Sequence, residues 1–184
     1  PCEVSVAEMV SAYTTFANNG IRISPMFVTR IEDSNGNVIT KFQPRMNEVI
    51  SSSSAYKMLV ELMAVVDEGT AGRLRYKFNI QGEIGGKTGT TNHNSDAWFM
   101  GFTPQLVSGV WVGGEDRDIH FDSTQMGQGA TMALPIWAYY MRKVYRDPQL
   151  PYRADATFDV PADFNPCAKD DDGAGDFGID DVYE

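Results

Sequence analysis

Residues 96–112 read DAWFMGFTPQLVSGVWV. Two runs rich in aromatic and β-branched residues are parted only by Thr103-Pro104-Gln105. A parallel crossover needs about a dozen residues or more, so a connection this short admits only antiparallel neighbours. A third strand candidate, about Glu83 to Thr90, precedes them and contains the heptapeptide GGKTGTT, residues 85–91. Glycines cost a strand backbone entropy and pack nothing. Their concentration here makes sense where another molecule must lie against the backbone.

Side chains alternate faces along a strand. Thr88 and Thr90 therefore share one face and Lys87 takes the other, while Gly85 and Gly89 leave bare backbone. Two hydroxyls on one face suit an anionic oxygen such as a carboxylate. Exposed backbone N–H groups can stabilise an oxyanion, and an ammonium beside them can orient or deprotonate a nucleophile. Together they suit acyl transfer on a substrate that carries a carboxylate. The plainer alternative is a glycine-rich edge strand with incidental threonines.

Helices are expected on either side of these strands. Residues 4–20 place Val6, Met9, Val10, Tyr13, Phe16 and Ala17 at helical spacing. Ser5 and Glu8 form a capping box, Val4 and Met9 occupy hydrophobic-staple positions, and Asn19-Gly20 ends the helix. Residues 26–42 read as a hairpin around Asn35-Gly36. Residues 55–69 form a second helix, apolar around most of its circumference and so expected to be buried, with Lys57 and Glu61 on a narrow wet stripe. Residues 134–145 form a third, with Pro135 in its first turn. The order helix, hairpin, helix, three strands, helix indicates an α+β fold with helices packed on an antiparallel sheet.

The chain has 184 residues and a net charge of −10. From Asp155 to Glu184 ten acidic residues stand against Lys169 alone, so the remainder is close to neutral. No basic stripe exists, which argues against nucleic-acid binding. Residues 1–146 are expected to form the folded unit, and residues 147–184 a Pro-containing acidic tail, partly disordered. Cys2 and Cys167 could pair in an oxidising compartment. His93 and His120 lack ligand-like spacing, so neither a metal nor any cofactor is expected. Trp98, Trp111 and Trp137 are expected in the core. Asp96 could brace the loop beside the motif, and Glu115 and Asp116 form a solvated turn. No apolar run reaches the roughly 18 residues of a transmembrane helix.

From about Ser5 to Tyr145 the chain resembles the C-terminal half of the transpeptidase domain of class A, bifunctional penicillin-binding proteins. The segments that carry the resemblance are VAEMVSAYTTFANNG, DEGTAGRL, GGKTGTT, DAWFMGFTP, GVWVGG and ALPIWAYYM, in that order. K-T-G, with S-x-x-K and S-D-N, is a known signature of β-lactamases and penicillin-binding proteins. The resemblance implies part of a transpeptidase fold of the penicillin-binding-protein and serine β-lactamase kind. It implies an extracytoplasmic, periplasmic enzyme of peptidoglycan cross-linking, anchored to the inner membrane. A serine would attack the D-Ala-D-Ala end of a stem peptide, and β-lactams would trap that serine. Matched residue by residue, Lys87, Thr88 and Gly89 are the family's K-T-G. Thr90 would supply half of the oxyanion hole. The hydroxyls of Thr88 and Thr90 would hold the carboxylate of substrate or drug, and Lys87 would sit near the nucleophile.

Ser54-Ala55-Tyr56-Lys57 is the one S-x-x-K match, and no S-x-N occurs. Ser54 is set aside as nucleophile, because the family places that serine far upstream of VAEMVSAYTTFANNG. The chain begins with Pro1, and the family's anchor and glycosyltransferase domain are not seen in it. A piece of a longer protein is expected, inactive alone, needing the missing N-terminal half of the domain and open to self-association. Two other readings stay open: part of a serine β-lactamase or D,D-carboxypeptidase, and a non-catalytic module that binds cell-wall peptide or a protein.

Overall fold

The computed structural model describes residues 3–162 and Phe164. Helix α1, Val6–Ala17, starts at the expected capping box: the Ser5 N–H donates to Glu8 Oε2 at 2.8 Å and the Glu8 N–H to Ser5 Oγ at 3.3 Å. Gly20 follows at φ 89°, and any side chain there would run into the Ile50 carbonyl. Two small antiparallel ribbons come next. Strand β1, Ile21–Ile23, pairs with β4, Met46–Glu48, and encloses the expected hairpin of β2, Arg30–Glu32, and β3, Val38–Lys41. The outer pair went unforeseen because three residues are too few to show a period.

Helix α2, Ser52–Asp67, is capped by Ser51, whose hydroxyl accepts the Ser54 N–H at 3.2 Å. It is not buried all round as expected. Ala55, Leu59, Leu62 and Val66 are buried, but Met58 and Val60 are 44% and 40% exposed. Only one stripe of the helix meets the sheet and α1, so the rest of its apolar surface faces outward.

After the short helix α3, Arg73–Tyr76, come β5, Gly85–Thr90, β6, Asp96–Thr103, and β7, Leu106–Gly113. They form one antiparallel sheet in the order β5-β6-β7, as expected, with Lys87 opposite Met100 and Trp98 opposite Trp111. A short α4, Thr124–Gly127, leads into α5, Ala133–Arg146, with Pro135 in its first turn.

The strand register sorts side chains onto two faces, each covered by helices, with the end of α2 reaching both. On one face Phe102 packs with Tyr13 and Phe16 of α1 and with Leu59 and Leu62 of α2. On the other, Phe99 packs with Trp137 of α5 at a ring separation of 5.3 Å, and the Trp137 indole N–H donates to Ser108 Oγ at 2.8 Å. Gly101 leaves the hollow that Trp137 fills: a Cβ there would stand 2.5 Å from the indole. The result is a three-layer sandwich with β5 on the sheet's edge.

One sequence expectation changes here. Of the three tryptophans only Trp137 is fully buried; Trp98 is half-buried and Trp111 is 40% exposed. Both lie at the end of the sheet reached only by the first residues of α1, so they line a cleft instead of joining the core. Part of the acidic tail lies among the described residues. Up to Phe164 it leans on the body: Phe158 packs on Phe102 at 6.0 Å and donates its N–H to Glu83, and Phe164 packs on Tyr56 at 4.6 Å. Two phenylalanines inside a polar, proline-bearing stretch are a weak pattern, but each finds an aromatic partner. Cys2, Cys167 and most of the acidic run lie outside the described residues.

Candidate active site

Among the described residues, strand β5 is paired on one side only. The Thr91 N–H donates to the Asp96 carbonyl at 3.1 Å. In an antiparallel ladder bonded and unbonded positions alternate. The N–H and C=O groups of Thr90, Thr88 and Gly86 therefore point away from β6, toward the outer edge. The Lys87 ammonium bends round to the same edge and donates to the Thr88 carbonyl at 2.9 Å. An outward backbone N–H, two hydroxyls and an ammonium thus meet along a few residues of edge strand.

Neither threonine is sealed in the interior: Thr90 is exposed and Thr88 is half-buried. Each hydroxyl is held by a partner from a distant segment. Thr88 Oγ1 lies 2.8 Å from Thr70 Oγ1, in the loop after α2. Thr90 Oγ1 accepts the Gly129 N–H at 3.1 Å, from the loop before α5. Gly129 can come this close because it has no side chain; a Cβ would collide with the carbonyl oxygens of Trp98 and Gly89. Neither partner was singled out from sequence, because a contact across 18 or 39 residues leaves no local pattern.

Asp96 braces the turn that follows Thr90. Its carboxylate accepts from Thr91 Oγ1 at 2.8 Å, from the Trp111 indole at 2.9 Å and from Ser95 Oγ at 3.3 Å. Its own N–H donates back to Thr91 Oγ1 at 2.9 Å. Partial burial pushes this carboxyl upward, but those hydrogen bonds and the charge of Arg117 hold it below the ordinary carboxylate value. Beside it an open cleft of about 430 Å³ is lined by Ser5, Thr91, Trp98, Trp111 and Arg117. A depressed carboxylate stabilises the fold above its unfolded pKa near ~3.9, and that contribution is lost as pH falls through the folded value. Asp96→Asn is therefore expected to lower the urea midpoint near neutral pH and to narrow the gap from wild type as pH falls below the ordinary carboxylate range. A gap that stays constant as pH falls would refute this.

Ser54 lies in the first turn of α2 and Lys57 in the second. Thr70, which touches Thr88, lies beyond the other end of that helix. At about 1.5 Å per residue, Ser54 stands roughly 20 Å along the helix axis from the Thr88 end. Glu115 and Asp116 are exposed, as expected of a solvated turn. The rings of His93 and His120 stand 6.4 Å apart, both exposed.

With this geometry in view, the comparisons become specific. Residues 2–129 match the family model described as the penicillin binding protein transpeptidase domain. The chain belongs to that family. Among curated relatives it is 40% identical over 144 residues to penicillin-binding protein 1A of Aquifex aeolicus, covering 78% of this chain and 19% of that protein. It is 36% identical over 151 residues to penicillin-binding protein 1A of Neisseria lactamica, covering 76% and 18%. The chain thus spans about a fifth of the length of these relatives. In fold it is similar to the crystal structure of penicillin-binding protein 1A from Haemophilus influenzae, with a TM-score of 0.74, 24% identity and coverage of 86% of this chain and 28% of that one. PonA1 of Mycobacterium tuberculosis in complex with penicillin V gives a TM-score of 0.67 at 26% identity, covering 86% and 42%. The relatives are of the class A kind, and the mixed helical and antiparallel architecture is that of their transpeptidase domains.

Proposed function

We propose that this chain supplies one wall of a serine D,D-transpeptidase site that cross-links peptidoglycan stem peptides on the extracytoplasmic side of the inner membrane. The observation that carries the reading is the outer edge of β5. There the Thr90 N–H and the Lys87 ammonium face outward beside two held hydroxyls. Thr88 and Thr90 receive the carboxylate of a D-Ala-D-Ala end or of a β-lactam, and Gly89 between them contributes backbone without a side chain. The Thr90 N–H lies where an acyl oxygen gathers negative charge, so it stabilises the tetrahedral intermediate more than the ground state. Lys87 orients the attacking hydroxyl and eases its deprotonation. That hydroxyl comes from a serine outside these 184 residues. Attack forms the acyl-serine ester and expels the terminal D-Ala amine, which takes a proton. The amine of a second stem peptide then accepts the acyl group and regenerates the serine.

The test is covalent labelling with a fluorescent penicillin. The full-length polypeptide is expected to label, and Thr88→Val is expected to raise the penicillin concentration needed by about tenfold, the loss of a hydrogen bond to a charged group. The 184-residue chain is expected to stay unlabelled, with or without Ser54→Ala. A covalent band on the chain that Ser54→Ala removes would overturn the assignment of the nucleophile. High-turnover hydrolysis of a chromogenic cephalosporin by the full-length protein would instead make it a β-lactamase.

A further inference from the structure

The two hydroxyls of the anion grip do not stand by themselves, and their supports come from loops with no assigned part in the chemistry. Thr70 is exposed, so water could satisfy its hydroxyl; the 2.8 Å contact with Thr88 is not forced by burial. Its backbone is nevertheless pinned. The next residue, Ala71, is fully buried and donates its N–H to the Val65 carbonyl at 3.0 Å. Two residues further on, Arg73 Nη1 donates to the Ala130 carbonyl at 3.3 Å. That bond ties the Thr70 loop to the segment whose Gly129 N–H donates to Thr90 Oγ1. Thr88, Thr70, Arg73, Ala130, Gly129 and Thr90 thus form a closed polar frame.

The direction of donation matters. The Gly129 N–H occupies a lone pair of Thr90 Oγ1 and leaves the Thr90 proton free to point at a ligand. A Thr88 hydroxyl that donated to Thr70 would have no proton for the carboxylate. When an anion docks, Thr70 must donate to Thr88 and Thr88 to the anion. Hydrogen bonds in such a chain polarise one another.

We propose that Thr70 is a positioning residue for the carboxylate grip: its hydroxyl turns the Thr88 proton onto the substrate or β-lactam carboxylate. This rests on the reading of the β5 edge given above. The test uses the full-length polypeptide, a fluorescent penicillin and the methyl ester of the same compound, with acylation followed against concentration. Thr70→Val is expected to raise the concentration for half-maximal rate about three- to tenfold for the free acid, while leaving the limiting rate near wild type. Thr70→Ser, which keeps the hydroxyl, is expected to restore it. The ester, with no carboxylate, is expected to react equally slowly with wild type and Thr70→Val. Urea midpoints of both variants are expected to match wild type, since Thr70 is exposed.

The proposal fails if Thr70→Val acylates like wild type with the free acid, if Thr70→Ser is as impaired as Thr70→Val, or if acid and ester lose equally. Thr88→Val separates the two levels of inference. If Thr88→Val is impaired and Thr70→Val is not, only the role of Thr70 is lost. If wild type does not acylate, or Thr88→Val changes nothing, the reading of the site falls and the Thr70 assignment with it.

Discussion

Lys87→Ala is expected to slow acylation of the full-length polypeptide by penicillin about a thousandfold, the middle of the range for a positioned proton-transfer group. The ammonium lies on the outer edge of β5, against the Thr88 carbonyl, and in the proposed site the serine approaches the Thr90 N–H beside it. Without it the attacking hydroxyl loses the group that eases its deprotonation, and the developing charge loses a nearby cation. Lys87→Arg is expected to rescue little, because a planar guanidinium cannot put its charge and donors where the compact ammonium stands. Lys87 is exposed and its bond is to a backbone group of the next residue, so the fold is expected to survive. Rapid-quench labelling over a range of penicillin concentrations reads the effect. A Lys87→Ala protein that acylates at nearly the wild-type rate would remove Lys87 from the chemistry.

Trp137→Ala is expected to cost about 3–5 kcal/mol of stability, the usual range for emptying a buried indole site. Trp137 is fully buried, packs on Phe99 and fills the hollow over Gly101. The neighbouring backbone belongs to a paired strand and cannot collapse into the space. Ser108 Oγ also loses its donor. Against a total stability of about 5–15 kcal/mol this is a large fraction, so a fall in urea midpoint should be plain and soluble yield should drop. The loss bears on the site indirectly: α5 begins just after Gly129, and a loosened α5 frees the N–H that holds Thr90. An urea midpoint within experimental error of wild type would show that the two layers hold together without the indole.

Much of the local geometry of the candidate site was legible beforehand. Strict alternation along a strand put Thr88 with Thr90 and Lys87 opposite, and the ladder with β6 bears this out. The three-residue connection left β6 and β7 no choice but to be antiparallel. The Ser5–Glu8 box set the start of α1, because its two hydrogen bonds join groups only three residues apart. Side-chain exposure was read less well. Trp98 and Trp111 carry the composition of a core and yet line a cleft, and α2 reads as apolar around most of its circumference and yet turns Met58 and Val60 outward. Hydrophobicity says what a residue gains by burial, not whether another layer arrives to bury it.

What the sequence determined by itself was therefore local: helix caps, strand periods, tight connections, and the clustering of one cation, two hydroxyls and bare backbone within a few residues. Each depends on groups close along the chain, where covalent geometry leaves few options. What only the tertiary structure decided was which distant groups steady that cluster: Thr70 on Thr88, Gly129 on Thr90, Trp111 on Asp96. Those pairings follow from how two helical layers settle on the faces of one sheet, a balance of packing across the whole fold that no short stretch of residues contains.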